Sequence, residues 1–87
     1  MNITFTDKFK KRFEKLPVKI QKKFEERVDV FVKDSFSPLL RIHPLKGNLI
    51  GLRAFSVTGD YRVVYRILDK DNIKLIDIGT HAQVYGS

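Results

Sequence analysis

The apolar residues of this chain change period once, and that change limits the fold more than any other feature of the sequence. Phe9, Phe13 and Leu16 fall on one face of a first helix, and Ile20, Phe24, Val28 and Phe31 repeat the stripe on a second. From Leu49 onward the spacing shortens to strand alternation, dense in Val, Ile and Tyr. Helices gathered in one half and strands in the other predict an α+β fold, with a helical hairpin packed on a small antiparallel sheet.

The element boundaries follow from local chemistry. Ile3 and Phe5 alternate in a short N-terminal strand over residues 2–5. Thr6 is placed to cap the first helix, and Asp7 puts a negative charge in its first turn. Pro17 stops that helix and suits the first turn of the next, which is expected over residues 18–33. So short a break predicts two antiparallel helices. Residues 34–38 read as a loop, 49–57 and 60–68 as strands, 69–72 as a turn and 73–78 as the returning strand. Gly79 to His81 should end that strand and lead into a short tail. In the 60–68 strand Tyr61, Val63, Tyr65 and Ile67 share one face. Arg62, Val64, Arg66 and Leu68 share the other, a mixture of cation and apolar group suited to a ligand or partner. With no repeat, linker or low-complexity tract, residues 1–87 are expected to form one domain, and seven Phe supply its core.

Charge narrows the partner. Lys and Arg number 17 against 10 acidic residues, a formal net charge of +7, which favours an anionic partner such as nucleic acid or an acidic protein segment. The absence of Cys excludes disulfides, thiolate metal sites and Cys nucleophiles. No stretch approaches the roughly 18 apolar residues of a membrane span. The first residues lack the basic and apolar regions of a secretory signal, so a soluble cytoplasmic protein without a membrane role is expected.

No P-loop, dinucleotide fingerprint, nucleophile elbow or metal-spaced His cluster is present, so neither metal nor cofactor is expected. What remains lies in the strand-rich half. His43 precedes a proline, where its ring either caps a turn or does acid–base work. His81 follows the last strand, as a solvated residue or a second acid–base group. Two imidazoles near arginines suit phosphodiester chemistry: one removes a proton, the other protonates the leaving oxygen, and arginine stabilises charge at phosphorus. Asp60 either closes a turn or takes part in that chemistry. Arg53 and Arg62, on neighbouring strands, and Tyr61 and Tyr85, as stacking rings, are candidates to hold RNA or are ordinary rim and core residues. The residues alone reach a basic α+β domain compatible with an RNA partner.

Four segments in order carry more. They are His43-Pro-Leu-Lys-Gly47, Gly51-Leu-Arg53, Gly59-Asp-Tyr-Arg-Val-Val-Tyr65 and Gly79-Thr-His-Ala-Gln-Val-Tyr85. Together with the strand, hairpin and sheet they resemble the RelE/ParE superfamily of type II toxin–antitoxin toxins, most closely its YafQ-like mRNA interferase branch. The resemblance implies a RelE-like fold and a metal-independent endoribonuclease that cuts mRNA on the ribosome and is silenced by a cognate antitoxin. By position, His43, Asp60, Arg62, His81 and Tyr85 match catalytic residues of that branch. Lys46, Arg53 and Tyr61 fall where RNA is held. Ser56 stands where the YafQ-like pattern has a further histidine, which leaves His43 and His81 as the only imidazoles. The expected step is attack of a ribose 2′-OH on the adjacent phosphodiester. A gyrase-binding, ParE-like poison is the alternative, and the paired histidines argue against it. An acidic antitoxin segment is expected to lie over Val64 and Leu68, and the toxin alone to be a monomer.

Overall fold

The structure is a computed structural model that describes residues 1–85. Gly86 and Ser87, the end of the expected domain, lie outside the described residues. The chain runs β1 (Asn2–Phe5), α1 (Asp7–Glu14), α2 (Val18–Lys33), β2 (His43–Pro44), β3 (Arg53–Ser56), β4 (Tyr61–Asp69), β5 (Asn72–Thr80) and α3 (His81–Tyr85). The strand, helical hairpin and sheet expected from the sequence are all present. The sheet order is β1-β5-β4-β3-β2. Pairs among β2 to β5 are antiparallel, but β1 lies parallel to β5, with Ile3 opposite Ile73, so the sheet is mixed. Parallel neighbours need a long crossover between them, and the helices and hairpins that separate β1 from β5 supply it.

Local bonds set the helix ends. The Thr6 hydroxyl accepts from Phe9 N at 3.0 Å, the cap expected from sequence, and donates to the Ile76 carbonyl at 2.6 Å. That carbonyl belongs to a bulge: Val64 pairs with Asp77 and Tyr65 with Leu75, leaving Ile76 as the extra residue. At the other end of α1, Gln21 Nε2 donates to the Phe13 and Leu16 carbonyls, at 2.9 and 3.3 Å. This side chain from α2 adds a bond to the Phe13 carbonyl and takes up that of Leu16 just past α1, which ties the two helices together.

Strand alternation then makes two cores. On the helix side Phe9, Phe24, Phe31, Phe55, Val63, Tyr65 and Ile78 are buried together. Phe31 stacks on Phe55 at 5.3 Å and meets Tyr65 edge-on at 5.2 Å, arrangements that aromatic quadrupoles favour. On the opposite side Leu45, Leu52, Ala54, Val64 and Val84 form a smaller cluster. No helix among the described residues is long and apolar enough to cross a membrane.

Further sequence expectations change here. The strand expected from Leu49 begins at Arg53, because Gly47–Leu49 forms a tight helical turn and Gly51 takes φ +90°, a left-handed conformation that ends strand geometry. The expected tail is α3, which folds back over the sheet. Val64, only 2% exposed, is therefore covered by the chain's own Val84 and is not open to a partner.

Candidate active site

The second face of the sheet carries the candidate site, and β2 and α3 bring its halves together. His43 lies opposite Ala54, and Ala54 opposite Val64, so all three share the face over which α3 folds. The helix is held by a reciprocal cap. Thr80 N donates to Gln83 Oε1 at 2.9 Å, and Gln83 N donates to Thr80 Oγ1 at 3.3 Å. Gly79 has no side chain to obstruct it; a Cβ there would stand 2.6 Å from Gln83 Oε1. His81 N donates to the Asp60 carbonyl at 3.0 Å, which ties the start of α3 to the turn before β4.

Tyr85 stands between the two imidazoles. Its ring meets His81 edge-on at 4.4 Å and His43, also edge-on, at 6.5 Å. His43 Nδ1 lies 3.3 Å from the Arg41 carbonyl, and its Nε2 lies 3.4 Å from the Tyr85 hydroxyl. A carbonyl only accepts, so neutral His43 carries its proton on Nδ1 and turns the Nε2 lone pair toward Tyr85. Burial pushes the Tyr85 hydroxyl above its ordinary value, and the positive charge of Arg62 opposes that shift. The hydroxyl is therefore protonated at neutral pH and acts as the donor.

His43, Lys46 and Tyr85 line one hollow of about 330 Å³, floored by Leu45 and Leu49 and edged by Pro44 and Asn48. His43, Lys46, Asp60 and His81 are exposed, while Arg62 and Tyr85 are half-buried. Arg62 Nη1 donates to the carbonyls of Thr58 at 2.9 Å and Tyr61 at 3.2 Å. These bonds hold its charge beside the turn that carries Asp60. The arrangement sets a lone pair, a hydroxyl donor, a second imidazole and two cations on one face, a set suited to moving protons around an anionic centre.

The family model described as the bacterial toxin of type II toxin–antitoxin system, YafQ, matches residues 1–86. The chain belongs to the YafQ family. Among solved structures, this YafQ-family toxin is similar to YafQ from E. coli strain BL21(DE3), with TM-score 0.79, 23% identity and 98% of each chain covered. It is also similar to a YoeB/ParE toxin from Agrobacterium tumefaciens, with TM-score 0.78 and 21% identity over 93% of this chain and 99% of that one. YafQ in the E. coli DinJ–YafQ complex matches with TM-score 0.73 and 21% identity over 98% of each chain. A search of curated protein sequences gives no match. The neighbours establish the fold, the one shared by these YafQ and YoeB structures.

Not every residue singled out in the sequence reaches the His43–Tyr85 cluster. Arg53 lies opposite Tyr65, on the helix side of the sheet, and its charge acts on the Tyr65 hydroxyl. Tyr61 packs against the helix-side core. Both stand across the sheet from His43, because strand alternation separates them from Ala54 and Val64. Ser56 lies opposite Arg62 in a separate hollow at the outer edge of β3. Sequence reading passed over Arg41, whose carbonyl orients His43, and Asn48 and Leu49, which shape the hollow. The spacing Thr80-x-x-Gln83 was the available signal that residues 81–85 form a helix.

Buried Tyr65 and half-buried Tyr85 give the toxin an alkaline limit. Burial raises Tyr65 above its ordinary 10.0, with Arg53 opposing, as it raises Tyr85 with Arg62 opposing. Both ionise more easily in the unfolded chain, so their contribution is full below that value and is lost as pH climbs through the folded values. Urea midpoints should hold between about pH 7 and 9 and fall above about pH 10, and Tyr65→Phe should flatten that fall.

Proposed function

We propose that this toxin is a ribosome-dependent endoribonuclease that cuts mRNA and is silenced by a cognate antitoxin. The observation that carries the reading is the placement of Tyr85 between the His43 and His81 rings, with Lys46 and Arg62 beside it. In the reaction a base takes the ribose 2′-OH proton and the freed oxygen attacks the adjacent phosphorus. The P–O5′ bond breaks, an acid protonates the departing 5′-oxygen, and a 2′,3′-cyclic phosphate is left. His43 is the base: its Nε2 lone pair lies on the hollow side, where the ribose 2′-OH takes the place of the Tyr85 hydroxyl as its donor. His81 is the acid. Asp60, bonded through its carbonyl to His81 N at the start of α3, is the alternative partner. Arg62 stabilises charge at the phosphorane, Tyr85 holds His43 oriented until substrate enters, and Lys46 attracts the RNA.

The antitoxin follows from the family and from relatives solved with partners, the DinJ–YafQ complex of E. coli and the YoeB–YefM complex of Staphylococcus aureus. Its charge should be acidic to suit a chain of +7. The deciding experiment adds purified toxin to a translating extract and maps the 5′ ends of a reporter mRNA, with naked RNA alongside. Cuts on the translated message alone are the expected result. Intact message in every lane, with gyrase supercoiling inhibited, would overturn the reading in favour of a gyrase poison.

A further inference from the structure

Beside the catalytic face, at the outer edge of β3, lies a second hollow of about 170 Å³ that shares Arg62 with the proposed chemistry and whose other side chains that chemistry does not use. β2 pairs with β3 only at Arg53 and Ala54, which leaves Phe55 and Ser56 without a strand partner on that edge. Three arginines from three parts of the chain line this hollow: Arg27 of α2, Arg41 of the loop before β2, and Arg62 of β4. Ser56 and Thr58 add hydroxyls, and no carboxylate lines it. Among the described residues, none of the three guanidinium groups forms an ion pair.

Like charges gathered without a counter-ion repel, so this grouping needs a structural reason. Two of the three are held by backbone carbonyls. Arg27 donates to Val57 O at 3.4 Å and Leu39 O at 3.3 Å, and Arg62 to Thr58 O at 2.9 Å and Tyr61 O at 3.2 Å. Each guanidinium carries five N–H donors, so both keep donors free. Arg41 makes no side-chain hydrogen bond or ion pair among the described residues. It also has φ +50°, and no other described non-glycine residue has a positive φ. Left-handed backbone at a residue with a Cβ persists where the surroundings enforce it, and such positions gather at ligand sites.

We propose that this hollow binds a backbone phosphate of the RNA next to the bond that is cut. Guanidinium forks match phosphate oxygens in pairs, and three converging forks suit a tetrahedral anion better than the flat carboxylate of an acidic peptide. Two of the arginines also connect to the catalytic hollow. The Arg41 carbonyl fixes the His43 tautomer, and the charge of Arg62 reaches the Tyr85 hydroxyl. A phosphate held here sets the strand's register over His43. The RNA assignment rests on the ribonuclease reading; the anion site itself does not.

The test begins with nitrogen-labelled toxin titrated with inorganic phosphate at constant ionic strength. Saturable movement of the Arg27, Arg41 and Arg62 side-chain N–H signals and of the amides of residues 56–61 is expected, and its loss in Arg41→Gln. A non-cleavable 2′-O-methyl oligonucleotide is then bound at several salt concentrations. Arg41→Gln and Arg27→Gln should each weaken binding about tenfold and reduce the salt slope by about 0.7, the share of one single-strand phosphate. Arg27 also braces the backbone, so Arg41→Gly is the variant that excludes a folding artefact. It relieves the left-handed strain, so its melting temperature should hold or rise while RNA affinity falls. An unchanged salt slope in both Arg41 variants would overturn the proposal, as would phosphate binding without oligonucleotide binding, or signals moved by polyglutamate alone. An oligonucleotide held through these arginines but never cut in its cleavable form, on or off the ribosome, would support this site and sink the nuclease reading.

Discussion

His43→Ala should abolish detectable cutting of translated mRNA, with a fall in rate of about 10²–10⁴-fold, the range expected for removing one general acid or base. The variant takes away the imidazole whose tautomer a backbone carbonyl fixes, with its Nε2 lone pair on this face. His81→Ala should lose a similar factor. The double variant should be little worse than either single one, because groups that act on one transition state do not contribute independently. Tyr85→Phe separates geometry from hydrogen bonding. It keeps the edge-on ring contact with His81 and removes only the donor to His43, so a loss of roughly tenfold is expected. Both histidines are exposed, so their alanine variants should unfold within about 0.5 kcal/mol of the parent. Mapped 5′ ends in a translating extract, beside urea midpoints for each protein, check the whole set. Cleavage at the parental rate by either histidine variant would remove that histidine from the chemistry.

The parts of the molecule that were legible in sequence are those where one rule acts on many residues. The Phe stripes marked both helices because a ring on every turn has to be buried. Alternation in β4 sorted Tyr61, Val63 and Tyr65 from Arg62 and Val64, and the two cores follow that division. Arg53 escaped this logic. Its face depends on the register between β3 and β4, and Gly51 delays the start of β3 in a way composition does not reveal. The helix that carries His81 and Tyr85 is only five residues long. Gly79 reads as a break, and the Thr80 to Gln83 cap is the single local mark of a helix after it. The Arg41 contribution is a backbone carbonyl and a left-handed φ, neither of which a side-chain pattern encodes. The candidate site is thus readable residue by residue, while its assembly depends on long-range pairing.

Asp77 makes the same point through stability. In sequence it is one acid in a strand, yet it is 3% exposed and sits where the β5 bulge meets α1. Its carboxylate receives Arg12 Nε at 3.4 Å on one oxygen and Lys8 Nζ at 3.4 Å on the other. Arg12 Nη1 is buried beside them with no hydrogen-bond partner among the described residues, so Asp77 is the main compensation for that charge. Asp77→Ala should cost about 2–3 kcal/mol, below the roughly 3–5 kcal/mol of a fully buried broken pair. The discount reflects side-chain exposures of 60% for Lys8 and 32% for Arg12, which let water screen both cations. For a domain of this size that is a large share of a total stability of about 5–10 kcal/mol. The urea midpoint should drop accordingly. Cleavage should become more sensitive to heat, since β5 leads directly into the helix that holds His81 and Tyr85. Pairing Asp77→Leu with Arg12→Met should recover much of the loss, because apolar replacement of a buried ion pair is often neutral. A midpoint that stays put in Asp77→Ala would mean that solvent already screens the pair and that the Thr6 bonds and Phe9 packing anchor α1 to β5 without it.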